Sequence, residues 1–519
     1  MGRAKIPETQ KLAKALEALH KINGSDQGVI RGNQLKQAER EILQKAGFLR
    51  EFFKGWYFLS DPLADPGDTT PFFAHYFAFL SRYLSERFEQ NYCLSAEHSL
   101  LIHAQTNIVP PQITVIVHGN VNQKVDLHEN YSLFIYSIKS LISPDLKENV
   151  NNIQCYSAAA ALVSLNPRHY QSHAHDIQIV MNKIDDPLSI ARLVEHNLQG
   201  VSRLIGAYRQ VGRADFANAI LKQLTDLSYV IREADKPFDH QLLVPLSDIR
   251  ISIHSRIKLL FNLFREDILA AKPDVPLLSL SEEAYLASVE AIKIDDAYHS
   301  LSIERYRVTP ELIQKIADGL WHPQSKEDKK QRDAMAAKGY LEAFNLVKQA
   351  ASQAYVKQNS AAELFIEEHQ RWFAQLFMPS VEAGLLKRQD LIGYRRHLVF
   401  LSGSKHVPPH FDHLLNGMDA LKQCLCTEQD AFVNAVMAHF LVGYIHPFTD
   451  GNGRTARFAM NVMLAEGHYP WTIIPVEMRD QYMSALEKAS VEKDVRPFAE
   501  FISGRIKSAY DRHLIEYCR

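Results

Sequence analysis

The sequence predicts a mainly α protein in three parts. An all-helical C-terminal core carrying one β-hairpin follows a small helix-and-hairpin domain and an α/β middle domain. Three observations point there. From about residue 236 to the end, apolar residues recur at helical spacing, broken by one strand-like stretch from Tyr394 to Ser404. Between residues 63 and 235, strand-like runs at Ile113–His118 and Tyr131–Tyr136 mix with helical ones. The 519 residues are also too many for one ordinary domain, at roughly 100–200 residues each.

Composition narrows the function classes. With 46% hydrophobic and 23% charged residues the chain has the make-up of a globular protein, which excludes disordered and fibrous classes. Lys and Arg number 58 against 60 acids, so the chain as a whole favours neither nucleic acid nor an acidic membrane surface. Five scattered cysteines do not form a disulfide framework; Cys424 and Cys426 lack a second pair at zinc-site spacing. The first residues, MGRAKIPETQKLAKAL, carry charges where a signal peptide is apolar, and no window is apolar enough to span a membrane. The expected location is the cytoplasm.

The elements follow in order. Residues 1–62 form the first expected domain. Pro7 to His20 places Leu12, Ala15, Leu16 and Leu19 on one helical face, and a turn follows at Asn23-Gly24-Ser25-Asp26. A second helix is expected from about Asn33 to Ala46, ending at Gly47. Strands at Phe48–Phe53 and Trp56–Leu59 then meet at Lys54-Gly55. Helices followed by a hairpin resemble a winged helix. Its first 60 residues hold eleven bases and six acids, a net of +5. That excess fits a DNA-binding module; it equally fits a scaffold with a solvated basic face used for protein contacts. Asp61 to Asp68 reads as a linker. The middle domain, 63–235, opens with an aromatic-rich helix near Phe72–Phe88 and turns helical again from Pro187 to about Leu224.

The chemistry sits in the third part, 236–519. His446-Pro-Phe-Thr-Asp-Gly-Asn-Gly-Arg-Thr-Ala-Arg457 lies between two helical stretches, and Gly-Asn-Gly opens the second. A helix N-terminus presents unpaired N–H groups and partial positive charge, which suits phosphate. Gly451 and Gly453 let the backbone approach an anion closely, and Arg454 and Arg457 add fixed cations. Asp450 can ligate Mg²⁺, which takes one or two carboxylates plus substrate phosphates. His446 is placed to take a proton from an incoming hydroxyl. Phe448 points inward as an anchor. Together these make a phosphoryl-transfer site.

This string resembles the motif HxFx(D/E)GNGRxxR of the Fic family at every signature position. The resemblance covers about residues 285–505. It implies a protein adenylyltransferase: AMP passes from ATP to a Ser, Thr or Tyr hydroxyl of a target protein, the enzyme itself included, and pyrophosphate leaves. It also implies His446 as general base, Asp450 as the Mg²⁺ ligand, and Gly451, Asn452, Gly453, Arg454, Thr455, Arg457 and Tyr482 as ATP-binding residues. The stretch Gly393–Ser404, followed by Val407-Pro-Pro409, resembles the family's flap hairpin, whose edge pairs with a target peptide.

Ser300-Leu-Ser-Ile-Glu304 resembles the family's inhibitory helix motif, whose glutamate pairs with the second motif arginine. Position 305 is Arg where Gly or Asn is expected, which predicts a different local turn. In some relatives the same glutamate positions a water that removes AMP, so Glu304 also fits a de-AMPylase. A third reading makes the protein a winged-helix DNA-binding regulator switched by self-modification. Residues 1–230, and Tyr92–Gly119 above all, are loosely similar to the winged-helix abortive-infection type E antitoxins.

Overall fold

The computed structural model of the chain describes residues 8–23, 28–60, 62, 70–106, 108–140, 142–238, 252–320 and 328–517. The expected linker at Asp61–Asp68 lies, but for Pro62, outside them.

The N-terminal elements follow the sequence closely. Helix α1 (Glu8–Asn23) leads to a short strand β1 (Val29–Arg31), then to α2 (Gln37–Lys45) and the hairpin β2 (Leu49–Phe53) and β3 (Trp56–Leu59). The three strands form an antiparallel sheet ordered β1-β3-β2. The hairpin turns at Gly55, whose φ of 74° is easy only for glycine. Side chains alternate across a strand, and β3 is apolar throughout, so both of its faces are buried. Tyr57 packs with Ala15, Leu19 and Leu43 of the two helices, while Trp56 and Phe58 pack on the opposite side. Their cover is α3 (Thr70–Phe88), whose Phe72 and Phe79 meet Phe52, Trp56 and Phe58 edge to face.

The middle region holds a four-stranded sheet. Its strands are β4 (Tyr92–Leu94), β5 (Gln112–His118), β6 (Gln123–Asp126) and β7 (Ser132–Ile138), in the order β4-β5-β7-β6 with only β5 and β7 parallel. Between β4 and β5 lies α4 (Ala96–His103), and a second hairpin, β8 (Lys147–Val150) and β9 (Ile153–Tyr156), follows. Six helices then build a mostly aliphatic core: α5 (Ala158–Ser164), α6 (Pro167–Ser172), α7 (Ala174–Lys183), α8 (Pro187–Ala191), α9 (Leu198–Gln210) and α10 (Ala214–Asp226).

The chain divides into two compact units, Met1–Ser255 with Val399–Val407, and Arg256–Leu398 with Pro408–Arg519. The border expected at residues 62 and 63 falls inside the first unit, because the α3 aromatics close one face of the N-terminal sheet.

The second unit is helical. It comprises α11 (Ser252–Ala270), α12 (Glu282–Ala291), α13 (Lys293–Ile303), α14 (Pro310–Ala317), α15 (Asp328–Tyr355), α16 (Ala361–Glu382), α17 (Leu414–Thr427), α18 (Ala431–Ile445), α19 (Asn452–Glu466), α20 (Arg479–Glu487) and α21 (Arg496–Tyr517). Helices α18 and α19 are buried on nearly every side; α18 is apolar almost all round, whereas α19 also buries Asn452, Arg454, Arg457 and Asn461. One expectation fails: the flap hairpin does not form. Residues 394–404 hold no regular strand, and His406 makes only an isolated bridge with Ile108. An apolar run becomes a strand only when a second backbone pairs along it, and none does so here.

Candidate active site

The site is built around the end of α18 and the start of α19. Asp430 caps α18, its Oδ1 accepting from the N–H groups of Phe432 and Val433 at 2.9 and 3.1 Å. The helix stops at His446, which takes a left-handed conformation (φ 51°, ψ 60°). The His446 Nδ1 lies 3.3 Å from the Gly443 carbonyl. A carbonyl only accepts, so Nδ1 carries the proton and Nε2 is left as an acceptor. Burial pushes the pKa of His446 down to about 4; the charge of Arg395 acts the same way, against Glu304 and Asp450.

The loop is fixed from within. Asn452 donates to the Phe448 carbonyl and accepts from its N–H, both at 2.9 Å. The Phe448 ring stacks on Phe373 at 4.0 Å, the inward anchor the sequence indicates. Gly451 (φ 78°) precedes the first turn of α19, and Thr455 closes that turn by donating its hydroxyl to the Gly451 carbonyl at 3.0 Å. Thr455 and the Asn452 side chain therefore hold the loop.

The two arginines are buried. Arg454 is fully enclosed, between the rings of Phe377 and Tyr306 at 5.0 and 5.2 Å. Its Nε and Nη1, with Nη1 of Arg457, have no partner among the described residues. Buried donors are ordinarily satisfied, so this cluster is prepared for an anion. Asp450 is half exposed; its Oδ1 accepts from the Gly451 N–H at 2.6 Å, and Oδ2 lies 3.5 Å from Arg454 and 3.4 Å from the Tyr306 hydroxyl. One accessible carboxylate beside buried guanidinium groups fits Mg²⁺, which keeps waters and takes phosphate oxygens. Among the described residues no group of three His, Cys, Asp or Glu can cage a metal.

The expected inhibitory residues come to the same place. Arg457 donates from Nη2 to Glu304 Oε1 at 2.9 Å and to the Ser300 carbonyl at 3.0 Å, and from Nε to the Ser300 hydroxyl at 2.9 Å. A Cβ on Gly453 would lie 2.2 Å from Glu304 Oε1, so only glycine admits the carboxylate at the start of α19. Arg305 adopts the left-handed turn after all, at φ 65°. Its N–H bonds to Ser302 and that of Tyr306 to Leu301, at 3.0 and 3.1 Å, the pair of bonds that ends a helix on a left-handed residue.

Tyr482 is 2% exposed, its hydroxyl lies 2.9 Å from His439 Nε2, and it packs against Phe498 and Phe501 close to Arg457. Sequence reasoning missed Tyr306, Phe377, Arg395 and Arg479. Arg479 donates to the Ile303 carbonyl at 2.9 Å. The position of Tyr306, two residues after Glu304, was a usable signal; the others meet the site only through tertiary packing.

Residues 360–464 match the model of the Fic/DOC family. The chain carries a Fic domain. Over 125 residues, 23% of its length, it is 38% identical to the protein adenylyltransferase Fic of Drosophila mojavensis and 39% identical to that of Drosophila grimshawi. Those stretches are 24% and 25% of the relatives, so the chain spans about a quarter of the length of the curated proteins it matches. A Fic domain containing signaling protein from Bacteroides thetaiotaomicron aligns with a TM-score of 0.36 and 19% identity, over 49% of this chain and 94% of that one. A Fic-1 fragment from C. elegans aligns with a TM-score of 0.36 and 17% identity, over 66% and 90%. The matched Fic region holds His446 to Arg457, whereas Ser300 and Glu304 lie upstream of it.

The N-terminal module keeps two of its bases for itself. Arg40 donates to the Gly32 carbonyl at 2.6 Å and lies over Tyr57; Arg31 lies over Trp56, 3.4 Å from Glu86. Among the described residues no helix is long and apolar enough to cross a membrane.

Proposed function

We propose that this chain is an ATP-dependent protein adenylyltransferase held in check by Glu304. The observation that carries the reading is the set of unpaired, buried guanidinium donors on Arg454 and Arg457 beside the start of α19. Such a cluster is stabilised by an anion of several charges, as the phosphates of ATP supply.

The residues then take distinct roles. His446 Nε2 accepts the proton of a Ser, Thr or Tyr hydroxyl on a target protein. The freed oxygen attacks the α-phosphorus; the new O–P bond forms as the bond to the β-phosphate oxygen breaks, and pyrophosphate leaves. The amides at Gly451–Gly453 and the two arginines stabilise and orient the phosphates. Asp450 would hold Mg²⁺, which supplies neutralisation of phosphate charge. Glu304 places its own carboxylate where a phosphate would meet Arg457, so nucleotide and glutamate compete.

The test uses the full chain with α-³²P-ATP, Mg²⁺ and cell lysate. Labelled protein is expected with Glu304→Gly and no label once His446→Ala is added. If neither wild type nor Glu304→Gly labels anything, the transferase reading fails. If Glu304→Gly also abolishes release of AMP from a labelled target, Glu304 serves in removal as well.

A further inference from the structure

Arg395 lies in the segment that resembles the flap. It is 5% exposed, and each of its hydrogen bonds ends on a backbone carbonyl of the second unit. Nε donates to the His446 carbonyl at 2.8 Å, Nη1 to the His397 carbonyl at 2.8 Å and Nη2 to the Pro409 carbonyl at 2.6 Å. Its own N–H donates to the Pro447 carbonyl at 2.9 Å.

That pattern is expensive. Burial alone lowers the Arg395 pKa to about 10, with no carboxylate offsetting it. A buried cation without a counter-ion survives only where dipoles replace the water it has lost. The three carbonyls come from separate places. His446 and Pro447 open the catalytic loop. His397 and Pro409 stand on either side of the excursion in which Val399–Val407 join the first unit. One planar guanidinium therefore staples the neck of that excursion to the backbone of the base itself. Lysine, a single point charge on a flexible stem, cannot satisfy three fixed directions at once.

His446 needs such support. It is a left-handed, non-glycine residue at a helix end, a conformation that L side chains disfavour. Its carbonyl lies past the last turn of α18, where helices leave acceptors without partners. The Gly443 contact orients the ring and the His446 N–H donates to the Val442 carbonyl at 2.9 Å, which leaves the His446 carbonyl to be held from outside the helix.

We propose that Arg395 is a positioning residue for the base: it holds the His446 backbone, and with it the ring, in the geometry that proton transfer requires. The kinetic part of this rests on the transferase reading; the structural part does not. Arg395→Met and Arg395→Lys would be made in full-length Glu304→Gly protein and followed by two measurements. In the first, labelling rate at saturating ATP is expected to fall about 30- to 100-fold, as misplacement by about 1 Å does, with KM for ATP changed less than about twofold. In the second, hydrogen exchange over residues 394–398 and 446–452 is expected to quicken at least about tenfold, while the middle of α18 and α19 stays protected. Lysine should restore little of either loss.

A labelling rate within about threefold of the parent, or a raised KM for ATP at unchanged rate, would overturn the proposal, since positioning of the base is what these numbers read. Unchanged exchange would overturn it too. If the Glu304→Gly parent labels nothing, the transferase reading has failed and the exchange measurement alone decides the role of Arg395. Should Arg395→Met not fold, Arg395→Lys carries both measurements.

Discussion

At the scale of single residues, chemistry was legible wherever it was local. His446, Asp450, Gly451, Gly453, Arg454 and Arg457 lie within twelve positions, and their spacing on a helix start already implies an anion site. What the string could not show was which groups are consumed internally: Thr455 and Asn452 hold the loop, and Tyr482 is buried against His439. Arg305 is the most instructive case. Its identity argued against a left-handed cap, yet the cap forms, with the strain borne by the backbone. Arg305→Gly should remove that strain and strengthen the inhibited state by about 1 kcal/mol, which lowers wild-type labelling about fivefold. A rise in labelling would show that Arg305 supports the brake through its side chain. His446 yields a second outcome. In the proposed role its active form is neutral, and burial holds its pKa near 4 instead of 6.5. Labelling by Glu304→Gly should therefore stay level from pH 8 to about pH 5 and fall only below that. Removing Glu304 takes away an anion that favours the protonated ring, which moves the fall further to the acid side. A midpoint near 6.5 would mean that the ring is solvated, contrary to its packing.

At the scale of elements, helices were the readable part because their period is internal to the segment. The unformed hairpin at 394–404 is the counter-example: strand identity depends on a partner backbone, and no local pattern reports its absence. Helix α13 and its Glu304–Arg457 pair were expected from a five-residue motif, but its other attachments were not. Three bonds from Arg457 and one from Arg479 reach Ser300, Glu304 and the Ile303 carbonyl, so the proposed inhibition would rest on a docked helix end and not on one ion pair. Ser300→Ala tests this. It leaves Arg457 Nε buried without its acceptor, a loss of about 1–3 kcal/mol in the inhibited state. Labelling should rise about tenfold over wild type, the equivalent of about 1.4 kcal/mol, and remain below that of Glu304→Gly. No change on a labelling gel would mean that Glu304 alone carries the inhibition.

At the scale of the whole molecule, the N-terminal module and the α/β region share one compact unit for a physical reason. The run Trp56-Tyr57-Phe58-Leu59 is apolar at consecutive positions, and a strand of that kind is buried on both faces; the α3 aromatics supply the second cover. The excursion of Val399–Val407 into the first unit has no local signature at all. Stability of the second unit, by contrast, depends on single buried groups whose sign can be worked out. His439 and His446 have pKa values lowered by burial to about 3 and about 4, so the unfolded chain binds their protons first as pH falls below 6.5. Both therefore stabilise the fold near neutrality, and that contribution is lost between pH 6.5 and their folded values. Asp296 opposes them: burial raises its pKa to about 6, so acid relieves a strain that is present at neutral pH. At about 1.4 kcal/mol per pKa unit, the two histidines outweigh the aspartate by about 4 kcal/mol at pH 4. Denaturant unfolding of the second unit, followed between pH 7 and pH 4, should show a loss of that order. His439→Gln keeps a partner for the Tyr482 hydroxyl and removes the larger titration, so it should cut the acid loss by about half or more. An acid loss identical to wild type in that variant would place the titrating group elsewhere, with His439 already protonated at neutral pH.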